Sequence, residues 1–514
     1  MRYSSAAIFA AFLTLMSGPA HAEVKLSSPD GGVEITGRLL GYDGEFYRIA
    51  SVYGILMVDA HGVRCEGSEC PAPGPFVPEA MISGEAQTAE DIVPVLIGAF
   101  AEAEGLRILK QIEDDAHDLF VLRDTEGRDV ARLRIRKTST AEGFADLISE
   151  TASAALALRP PAQSERDRAQ EAQLGDISAD ARVSVLALDA LVAVVGESSP
   201  VRHVSPEQLS RILSGHVRTW QDLGGPEAPI HLHLPEENSA LAGAISDILS
   251  TDEGGPRPDA ARHARMDALR EAVARDPLAL GIMPFTAARG VRMLALSGSC
   301  GRMVEPGSTA IKLEDYPFLL PHLLYTPDLR APQVVRDLLA FAASEDAQLS
   351  LREAGYVDQA IEFVAFETRG DQRAQKTPGV ETATASTELR RFDAHIEGAR
   401  RLLLAFRFDD GEAELDRISR GNVRRLAGAI ERGEIAGSTL ILAGFSDGLG
   451  PQAANLDLSL RRAEAVRSAL LESLPDHAIR PEILVDGFGE AVPLACDEDD
   501  WGRRINRRVE IWLR

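Results

Sequence analysis

Short runs in which apolar and polar residues alternate predict a group of β-strands in the first part of the chain. Residues 33–36 and 46–49 alternate at the two-residue period of a strand, and Asp43-Gly44 between them is typical of a turn. Another strand is predicted over 55–58, before a proline-rich break. We therefore predict a small β module over 23–75. Because it offers no evident chemistry, we interpret it as a docking or interaction domain.

Helical and strand patterns then alternate from residue 76 to residue 366, which is typical of an α/β fold. An amphipathic helix is predicted over 89–104, and strands are predicted over 119–122 and 130–135. The longest apolar run, VSVLALDALVAVV at 183–195, is of the kind found in buried parallel strands. Two further helices are predicted over 205–213 and 240–249.

The last part of the chain begins with a predicted linker. Residues 367–386 lack apolar periodicity and are rich in Thr, Ala and Gln. Beyond the linker, the pattern predicts a helix over 389–404, a strand over 406–408, a helix over 416–432 and a strand over 439–443. We therefore expect an α/β multidomain protein with a final α/β domain over 387–514.

The N-terminal segment has the pattern of a secretory signal peptide. Arg2 precedes an apolar run at 6–16, and the small residues Ala20 and Ala22 predict cleavage after Ala22. A membrane anchor is the alternative, but the run is shorter than the roughly 20 residues that span a bilayer. We therefore expect an exported mature chain without a transmembrane segment.

Size and charge narrow the function classes. The 514 residues predict about three domains. The formal net charge of −25 argues against binding to nucleic acid or to anionic lipid. Any anion site in this chain therefore needs a local positive field of its own.

Cysteine usage fits an oxidising compartment. Cys65 and Cys70 lie in one short loop, RCEGSEC, and are predicted to form a disulfide, with two free thiols as the alternative. Cys300 and Cys496 either pair or stay apart, and the sequence leaves both options open. Because no paired C-x-x-C spacing occurs, a zinc site is not predicted.

Four separated blocks characterise the final domain. They are GFSD at 444–447, NLDLSLRRA at 455–463, GFGE at 487–490 and GRRINRRVE at 502–510. This segment resembles the OmpA-like peptidoglycan-binding domain. The resemblance implies that Asp447 and Arg462 hold the diaminopimelate of the wall peptide, with Asn455 and Arg507 in support. One carboxylate for the amine and one guanidinium for the carboxylate would recognise both groups of this zwitterion.

Several details accompany this prediction. Arg462 is expected in the first turn of a helix, where backbone N–H groups help to hold an anion. Arg461 is expected to face solvent. The family often has His-Thr where this chain has Phe445-Ser446. A surface salt bridge is the alternative for Asp447 and Arg462. The acidic run at 497–500 predicts a solvated loop, with calcium binding as the alternative.

The middle segment carries a second set of motifs. They include LDALVAVV at 188–195, ILSG at 212–215, WQDLGG at 220–225 and DPLALGI at 276–282. These stretches resemble the substrate-binding proteins of phosphate ABC importers. The resemblance implies a two-lobed type II periplasmic-binding fold over 76–366, with ligand between the lobes and binding by hinge closure.

The resemblance also implies a set of anion-binding residues: Thr88, Arg159, Asn238 and Ser239. The chain departs from the family nearby, because Glu85 would repel an anion and Pro235 stands where an arginine is usual. Helix capping is the alternative role for Thr88 and Ser239, and pairing with a carboxylate is the alternative for Arg159.

Other chemistry is set aside. His231 and His233 would share a strand face, but no third ligand is evident, so we predict no metal and no cofactor. The sequence contains no nucleophile elbow and no phosphate-binding loop, so an enzyme is not expected.

These patterns together predict a function. We expect an exported periplasmic protein, associated with the cell wall, that binds peptidoglycan and a small solute such as phosphate or another oxyanion. The alternative is a solute-binding fold that has lost its ligand. It would then serve as a wall-anchored interaction or signalling module for an envelope protein partner.

Overall fold

The computed structural model describes residues 23–72, 76–179, 182–249, 257–327, 331–365, 383–475 and 477–514. Internal contacts divide the chain into one unit that ends at Pro78 and a second that runs from Glu79 to Arg514. The predicted signal peptide and most of the predicted linker lie outside the described residues. Within the described part, no helix has both the length and the apolar character needed to cross a membrane.

The first unit is an antiparallel sheet, as its alternating pattern predicted. Its strands are β1 (Val24–Ser27), β2 (Glu34–Tyr42), β3 (Phe46–Ser51), β4 (Gly54–Asp59) and β5 (Arg64–Glu66), in the order β4-β3-β2-β1-β5. Its small core is built on Val24, Leu26 and Ile49. The predicted disulfide between Cys65 and Cys70 is confirmed, and it closes a short loop beside this core.

The second unit begins with a two-lobed region built on one mixed sheet. The strands of its first lobe are β6 (Glu79–Glu85), β7 (Arg107–Ile112), β8 (His117–Arg123), β9 (Asp129–Thr138) and β10 (Ala154–Ala157). The remaining strands are β11 (Val183–Val195), β12 (His203–Val204), β13 (His231–Pro235), β14 (Ala261–His263), β15 (Ala279–Pro284), β16 (Arg292–Met293), β17 (Ala295–Ser297), β18 (Met303–Val304) and β19 (Leu319–Tyr325). The main sheet has the order β14-β13-β15-β11-β19-β10-β6-β9-β8-β7.

Helices cover this sheet and bury its apolar faces. They are α1 (Val93–Ala103), α2 (Thr140–Ile148), α3 (Gln163–Glu171), α4 (Pro206–Leu213), α5 (Ala240–Leu249), α6 (Met266–Arg275), α7 (Ser308–Lys312), α8 (Gln333–Ala342) and α9 (Glu345–Glu353). In the first lobe, α1, α8 and α9 pack on one face, and α2 and α3 pack on the other. In the second lobe, α4, α5 and α6 enclose a separate core.

Strand β11 connects the two lobes. Its first half pairs with β19, next to β10 of the first lobe, and its second half pairs with β15 of the second lobe. The predicted strand over 183–195 is confirmed, but the expected parallel pairing is wrong, because both of these partners run antiparallel. A continuous apolar run indicates that both faces of a strand are buried. Because burial does not depend on strand direction, the run could not distinguish parallel from antiparallel pairing.

The C-terminal domain is a second mixed sheet between helices. Its strands are β20 (Phe363–Ala365), β21 (Arg400–Arg407), β22 (Thr439–Gly444), β23 (Glu482–Gly487) and β24 (Arg508–Leu513), in the order β20-β21-β24-β22-β23. Its helices are α10 (Ala383–His395), α11 (Arg417–Glu431), α12 (Gln452–Ser473) and α13 (Asp500–Asn506). Helices α11 and α12 pack on one face, whereas α10 packs on the other against Phe445, Phe488 and Trp512.

The predicted helix over 389–404 is only partly correct. The helix ends at His395, and residues 400–407 form β21 instead. Gly398 lies between them at a φ of +72°, a left-handed conformation that ends the helix at little cost for glycine. The apolar run that follows is buried in the sheet, and burial in the sheet decides its conformation.

Several bonds join the C-terminal domain to the two-lobed region. Cys300 and Cys496, whose pairing the sequence left open, form a disulfide. Arg407 is buried, donates to the carbonyl of Leu313 and pairs with Asp315 at 2.6 Å. These contacts hold the C-terminal domain against the second lobe.

Candidate functional site

The candidate wall-binding site lies where β22 and β23 end beneath α12. Gly444 and Gly487 close these two strands. A Cβ on Gly444 would collide with the carbonyl of Ser459, and one on Gly487 would lie 2.5 Å from the backbone nitrogen of Leu460. Glycine at both strand ends therefore lets α12 approach the sheet closely and brings its side chains next to the loop that follows β22.

Asp447 is the acidic centre of this site. It is buried, and its Oδ2 accepts a hydrogen bond from Arg507 Nη1 at 2.9 Å. Its Oδ1 accepts from the backbone N–H of Leu449 at 3.3 Å. Arg507, which the sequence analysis assigned a supporting role, is therefore the direct ionic partner of Asp447.

Arg462 lies on α12, is fully buried and interacts with the charge of Asp447. Its Nε donates to the carbonyl of Glu412 at 2.9 Å, its Nη2 donates to the carbonyl of Asp409 at 3.1 Å, and the guanidinium lies over the Phe408 ring. Burial lowers the pKa of Arg462 to about 10, and the charge of Asp447 opposes this shift. Arg462 therefore remains a cation at neutral pH, near Asp447.

The expected position of Arg462 in its helix is wrong. Helix α12 begins at Gln452, so Arg462 lies in the third turn, where its backbone N–H is part of the helix. The helix starts earlier than predicted because Pro451 occupies its N-cap position and nothing in the next residues interrupts it. Any anion at Arg462 is therefore held by the side chain and not by a helix terminus.

Asn455 and Arg461 occupy different environments on α12. Asn455 is buried, and its Nδ2 donates to Glu490 Oε2 at 2.9 Å, which ties the helix to the loop after β23. Arg461 is exposed and pairs with Asp457 on the same helix, so its predicted solvent orientation is confirmed.

Asp497 is a second acidic residue of this site, although the sequence predicted a solvated acidic loop at this position. It is half-buried, and its Oδ1 accepts from Asn506 Nδ2 at 2.9 Å. Burial raises the pKa of Asp497, and the charge of Asp447 also contributes. The site thus holds two neighbouring carboxylates, and the only sequence signal for the second was its place shortly before the block at 502–510 that contains Asn506.

The cleft of the two-lobed region contains a different arrangement around Thr88. The buried carboxylate of Glu85 accepts hydrogen bonds from the backbone N–H of Gln87 at 3.0 Å, from the N–H of Thr88 at 2.7 Å and from the Thr88 hydroxyl at 2.6 Å. Burial raises the pKa of Glu85, while the bonds from Thr88 oppose that shift. The π-helical turn Thr88–Ile92 runs directly into α1, so an internal carboxylate occupies the donors at the start of this helical segment.

His322 on β19 completes this group. Its Nδ1 lies 2.7 Å from the Thr88 hydroxyl oxygen. A hydroxyl donates only one hydrogen, so if it donates to Glu85 it accepts from the Nδ1–H of His322. Burial lowers the pKa of His322 to about 3, so the ring is neutral, and among the described residues its Nε2 has no partner.

Further carboxylates lie near this group. Asp189 on β11 accepts from the Thr286 hydroxyl at 2.6 Å, and burial raises its pKa to about 6. Asp91 accepts from the hydroxyl of Tyr356 at 3.3 Å, and burial also raises the pKa of Asp91. This part of the fold therefore presents acidic groups, which do not favour an anionic ligand.

The other predicted anion-binding residues have partners of their own. Arg159 forms a two-pronged pair with Glu165, at 2.8 Å and 2.9 Å. Ser239 accepts from the N–H of Ala242 at 3.1 Å and donates to the carbonyl of Glu236, so it caps α5. Asn238 is exposed. Within the part of the chain that the structure describes, none of the four predicted residues shares a hydrogen-bond partner with another.

Two family models match successive parts of the chain. Residues 117–366 match the model of the PBP superfamily domain, and residues 407–507 match that of the OmpA family. Phosphate-binding protein PstS of Bacillus subtilis is 23% identical over 189 residues, which cover 36% of this chain and 61% of that protein. Outer membrane porin F of Pseudomonas fluorescens is 34% identical over 110 residues, which cover 21% of this chain and 32% of that protein.

The chain thus spans between about one third and three fifths of the length of these two relatives. Among solved structures, an ABC-type phosphate transport receptor from Vibrio cholerae aligns with a TM-score of 0.42 and 20% identity, covering 54% of this chain and 99% of that one. From the two family matches, the chain joins a domain of the PBP superfamily to a C-terminal domain of the OmpA family.

Proposed function

We propose that this protein belongs to the bacterial envelope and binds peptidoglycan non-covalently through its C-terminal domain. The observation that supports this proposal is the juxtaposition of Asp447 and Asp497 with the cations Arg462 and Arg507. The free end of diaminopimelate carries one amine and one carboxylate. In the proposal, Asp447 takes the amine and Arg462 takes the carboxylate by charge-assisted hydrogen bonds.

The burial of Arg462 sets a condition on this binding mode. Its guanidinium lies beneath the exposed turn 409–412 and is bonded to two carbonyls of that turn. A ligand carboxylate reaches it when these bonds are exchanged for bonds to the ligand. Arg507 already touches Asp447 and supplies the second cation of the site.

The choice of cell wall gives a direct experiment. Purified peptidoglycan that contains diaminopimelate should co-sediment the full chain. Peptidoglycan with lysine at the same position lacks the distal carboxylate and should co-sediment it much less, because one half of the charge recognition is lost. Equal sedimentation with both walls would contradict the proposed recognition.

For the middle domain, the first candidate function is capture of a small solute such as phosphate or another oxyanion. The family match at 117–366 and the similarity to a phosphate-binding protein support it. Calorimetry of the full chain against phosphate and sulfate tests it. Heat at micromolar anion would support this candidate, whereas no heat with either anion would exclude both ligands.

A specific observation favours the second candidate, a wall-anchored interaction or signalling module. The Glu85 carboxylate accepts hydrogen bonds from the three donors that an oxyanion would need at the start of the turn Thr88–Ile92, which leads into α1. A buried carboxylate in that place repels a second anion. If this candidate is correct, removal of the Glu85 charge is required before phosphate binds, and the unmodified chain gives no heat.

We also infer a periplasmic location at the cell wall and a binding rather than a catalytic role. The two domain families support this inference, together with the expected signal peptide. Detection of the protein in the periplasmic wall fraction of fractionated cells would support it, and recovery from the cytoplasmic fraction alone would contradict it.

A further inference from the structure

A groove of about 530 Å³ lies between helix α11 of the C-terminal domain and the first lobe of the middle domain. One face of α11 forms its first wall. The residues of this face recur at helical spacing and are Arg417, Gly421, Arg424, Arg425 and Gly428. The glycines leave room between the arginine side chains, so this wall is both open and positively charged.

Two of these arginines form no ion pair with any carboxylate that the structure describes. Arg425 donates to the carbonyl of Val185 at 3.1 Å and to Asn422 Oδ1 at 3.1 Å. Arg417 donates to the hydroxyl of Tyr325 at 2.9 Å and lies over its ring. Among the described residues, neither guanidinium has a carboxylate oxygen within ion-pair distance. Charged groups at partly buried positions are normally paired, whereas among the described residues these two cations donate only to neutral acceptors.

Several other arginines of the chain do pair with a carboxylate. Arg159 pairs with Glu165, Arg407 pairs with Asp315, and Arg508 pairs with Glu510. Carboxylates are plentiful in a chain with a net charge of −25, and Asp176 interacts with Arg417 through its charge, but among the described residues neither Arg417 nor Arg425 forms an ion pair. Burial also lowers the pKa of Arg425 to about 10, with the charge of Arg424 as a further cause, and the group is still protonated at neutral pH.

The rest of the lining offers apolar surface and one unused acceptor. It includes Leu339 of the first lobe, Ile361 and Phe363 beside the C-terminal core, and the buried Gln359. Gln359 donates through Nε2 to the carbonyl of Val185, but among the described residues its Oε1 has no partner. A ligand that donates a hydrogen bond at this point would satisfy that oxygen.

The acidic residues of the groove lie at its edge. Glu345 and Glu434 are exposed, and Glu434 is already paired with Arg432. They therefore do not neutralise the two inner cations. The volume is within the range of small-molecule sites, about 300–1,000 Å³.

We propose that this groove binds a small organic anion that carries at least two acidic groups, together with a hydroxyl or amide donor. One acidic group pairs with Arg425 and the other with Arg417, two helical turns away, or roughly 12 Å along the axis. The donor meets Gln359 Oε1, and the body of the ligand lies on Leu339 and Phe363. This site is separate from Asp447 and from the cleft at Thr88.

Two sources of such an anion are distinguishable by their probes. Citrate represents a free hydroxy acid, and the wall tripeptide L-alanyl-γ-D-glutamyl-meso-diaminopimelate represents a fragment of peptidoglycan. Calorimetry uses the full chain, the Arg417→Gln/Arg425→Gln variant and a charge-matched control, Arg275→Gln/Arg461→Gln, whose two side chains are exposed. We expect the groove variant to lose at least tenfold in affinity for one probe, while the control binds as the unchanged protein does.

Equal affinity of the groove variant and the control for both probes would overturn the proposal. It would also be overturned if the unchanged protein gave no heat with citrate and no heat with the tripeptide. Arg425 also donates to the carbonyl of Val185, so its replacement could disturb the local fold. A second measurement therefore uses the unchanged protein. The bound probe should slow modification of Arg417 and Arg425 by phenylglyoxal, but not that of exposed Arg275, as read by mass spectrometry. Unprotected Arg417 and Arg425 would likewise overturn the proposal.

Discussion

The carboxylate of Glu85 accepts two hydrogen bonds from Thr88, one from its backbone N–H at 2.7 Å and one from its hydroxyl at 2.6 Å. The same Thr88 oxygen lies 2.7 Å from His322 on β19. A side chain of the protein thus accepts the hydrogen bonds that the proposal assigns to an anionic ligand. We therefore predict that the identity of residue 85 decides whether an oxyanion binds at these donors.

Replacement of Glu85 by serine should create or strengthen phosphate binding. The Glu85→Ser change removes the internal carboxylate and leaves the N–H groups of Gln87 and Thr88 available to an anion. We expect affinity for phosphate to rise at least tenfold, measured by calorimetry. The exposed neighbour Glu90 provides the control variant Glu90→Ser, which should change nothing. Micromolar phosphate binding by the unmodified chain would contradict this account of Glu85.

Glu314 should make stability depend on pH. This residue follows α7, is buried, has an Oε1 without a partner among the described residues and has a φ of +55°. Burial raises its pKa from 4.5 to about 8, and the charge of Asp416 adds to the shift. A raised carboxyl pKa means that the folded state holds the proton more tightly. The stability from neutral Glu314 is therefore complete below about pH 4.5 and is lost as the pH rises to about 8.

The Glu314→Gln variant tests this linkage, because it keeps a neutral side chain at every pH. Urea unfolding at pH 5 and pH 8 should show a smaller loss of unfolding free energy in the variant than in the unmodified chain. Exposed Glu345 supplies the control Glu345→Gln. An unchanged pH dependence in Glu314→Gln would show that Glu314 is not the responsible group.

The disulfide between Cys300 and Cys496 should stabilise the second unit strongly. It joins two positions 196 residues apart, so its loss frees a long loop in the unfolded chain. The Cys300→Ser/Cys496→Ser variant should lose about 3–5 kcal/mol of unfolding free energy in guanidinium titrations. Cys65→Ser/Cys70→Ser is the matched control, since that bond closes a separation of only 5 residues. A smaller loss in the long-range variant than in the control would contradict the prediction.

Local sequence patterns predicted elements well where a single cause decides the structure. The run at 183–195 is β11 to the residue, and the helix over 240–249 is α5, because continuous burial and helical periodicity are local signals. The end of α10 was mispredicted since the apolar residues at 402–406 suit a helix and a buried strand equally. Only pairing with β24 decides between the two.

The candidate site shows the same limit. Asp447 and Arg462 were named from their motifs, and the structure places Asp447 in the loop after β22 and Arg462 near it on α12. The bonds from Arg462 to the carbonyls of Asp409 and Glu412 left no signal in the sequence, because every residue has a carbonyl. The ion pair of Asp447 with Arg507 spans 60 positions, and only the folded chain brings the two together.

The most direct test of wall binding is co-sedimentation of an Asp447→Asn variant with diaminopimelate-type peptidoglycan. The substitution keeps the shape of the side chain and removes the charge that the amine of the ligand requires, and a thermal unfolding curve shows whether the fold persists. Arg461→Gln is the control, because its side chain is exposed on the same helix. We predict that folded Asp447→Asn stays in the supernatant while Arg461→Gln pellets as the unmodified chain does. Folded Asp447→Asn that pellets with the wall at the level of the unmodified chain would contradict the account.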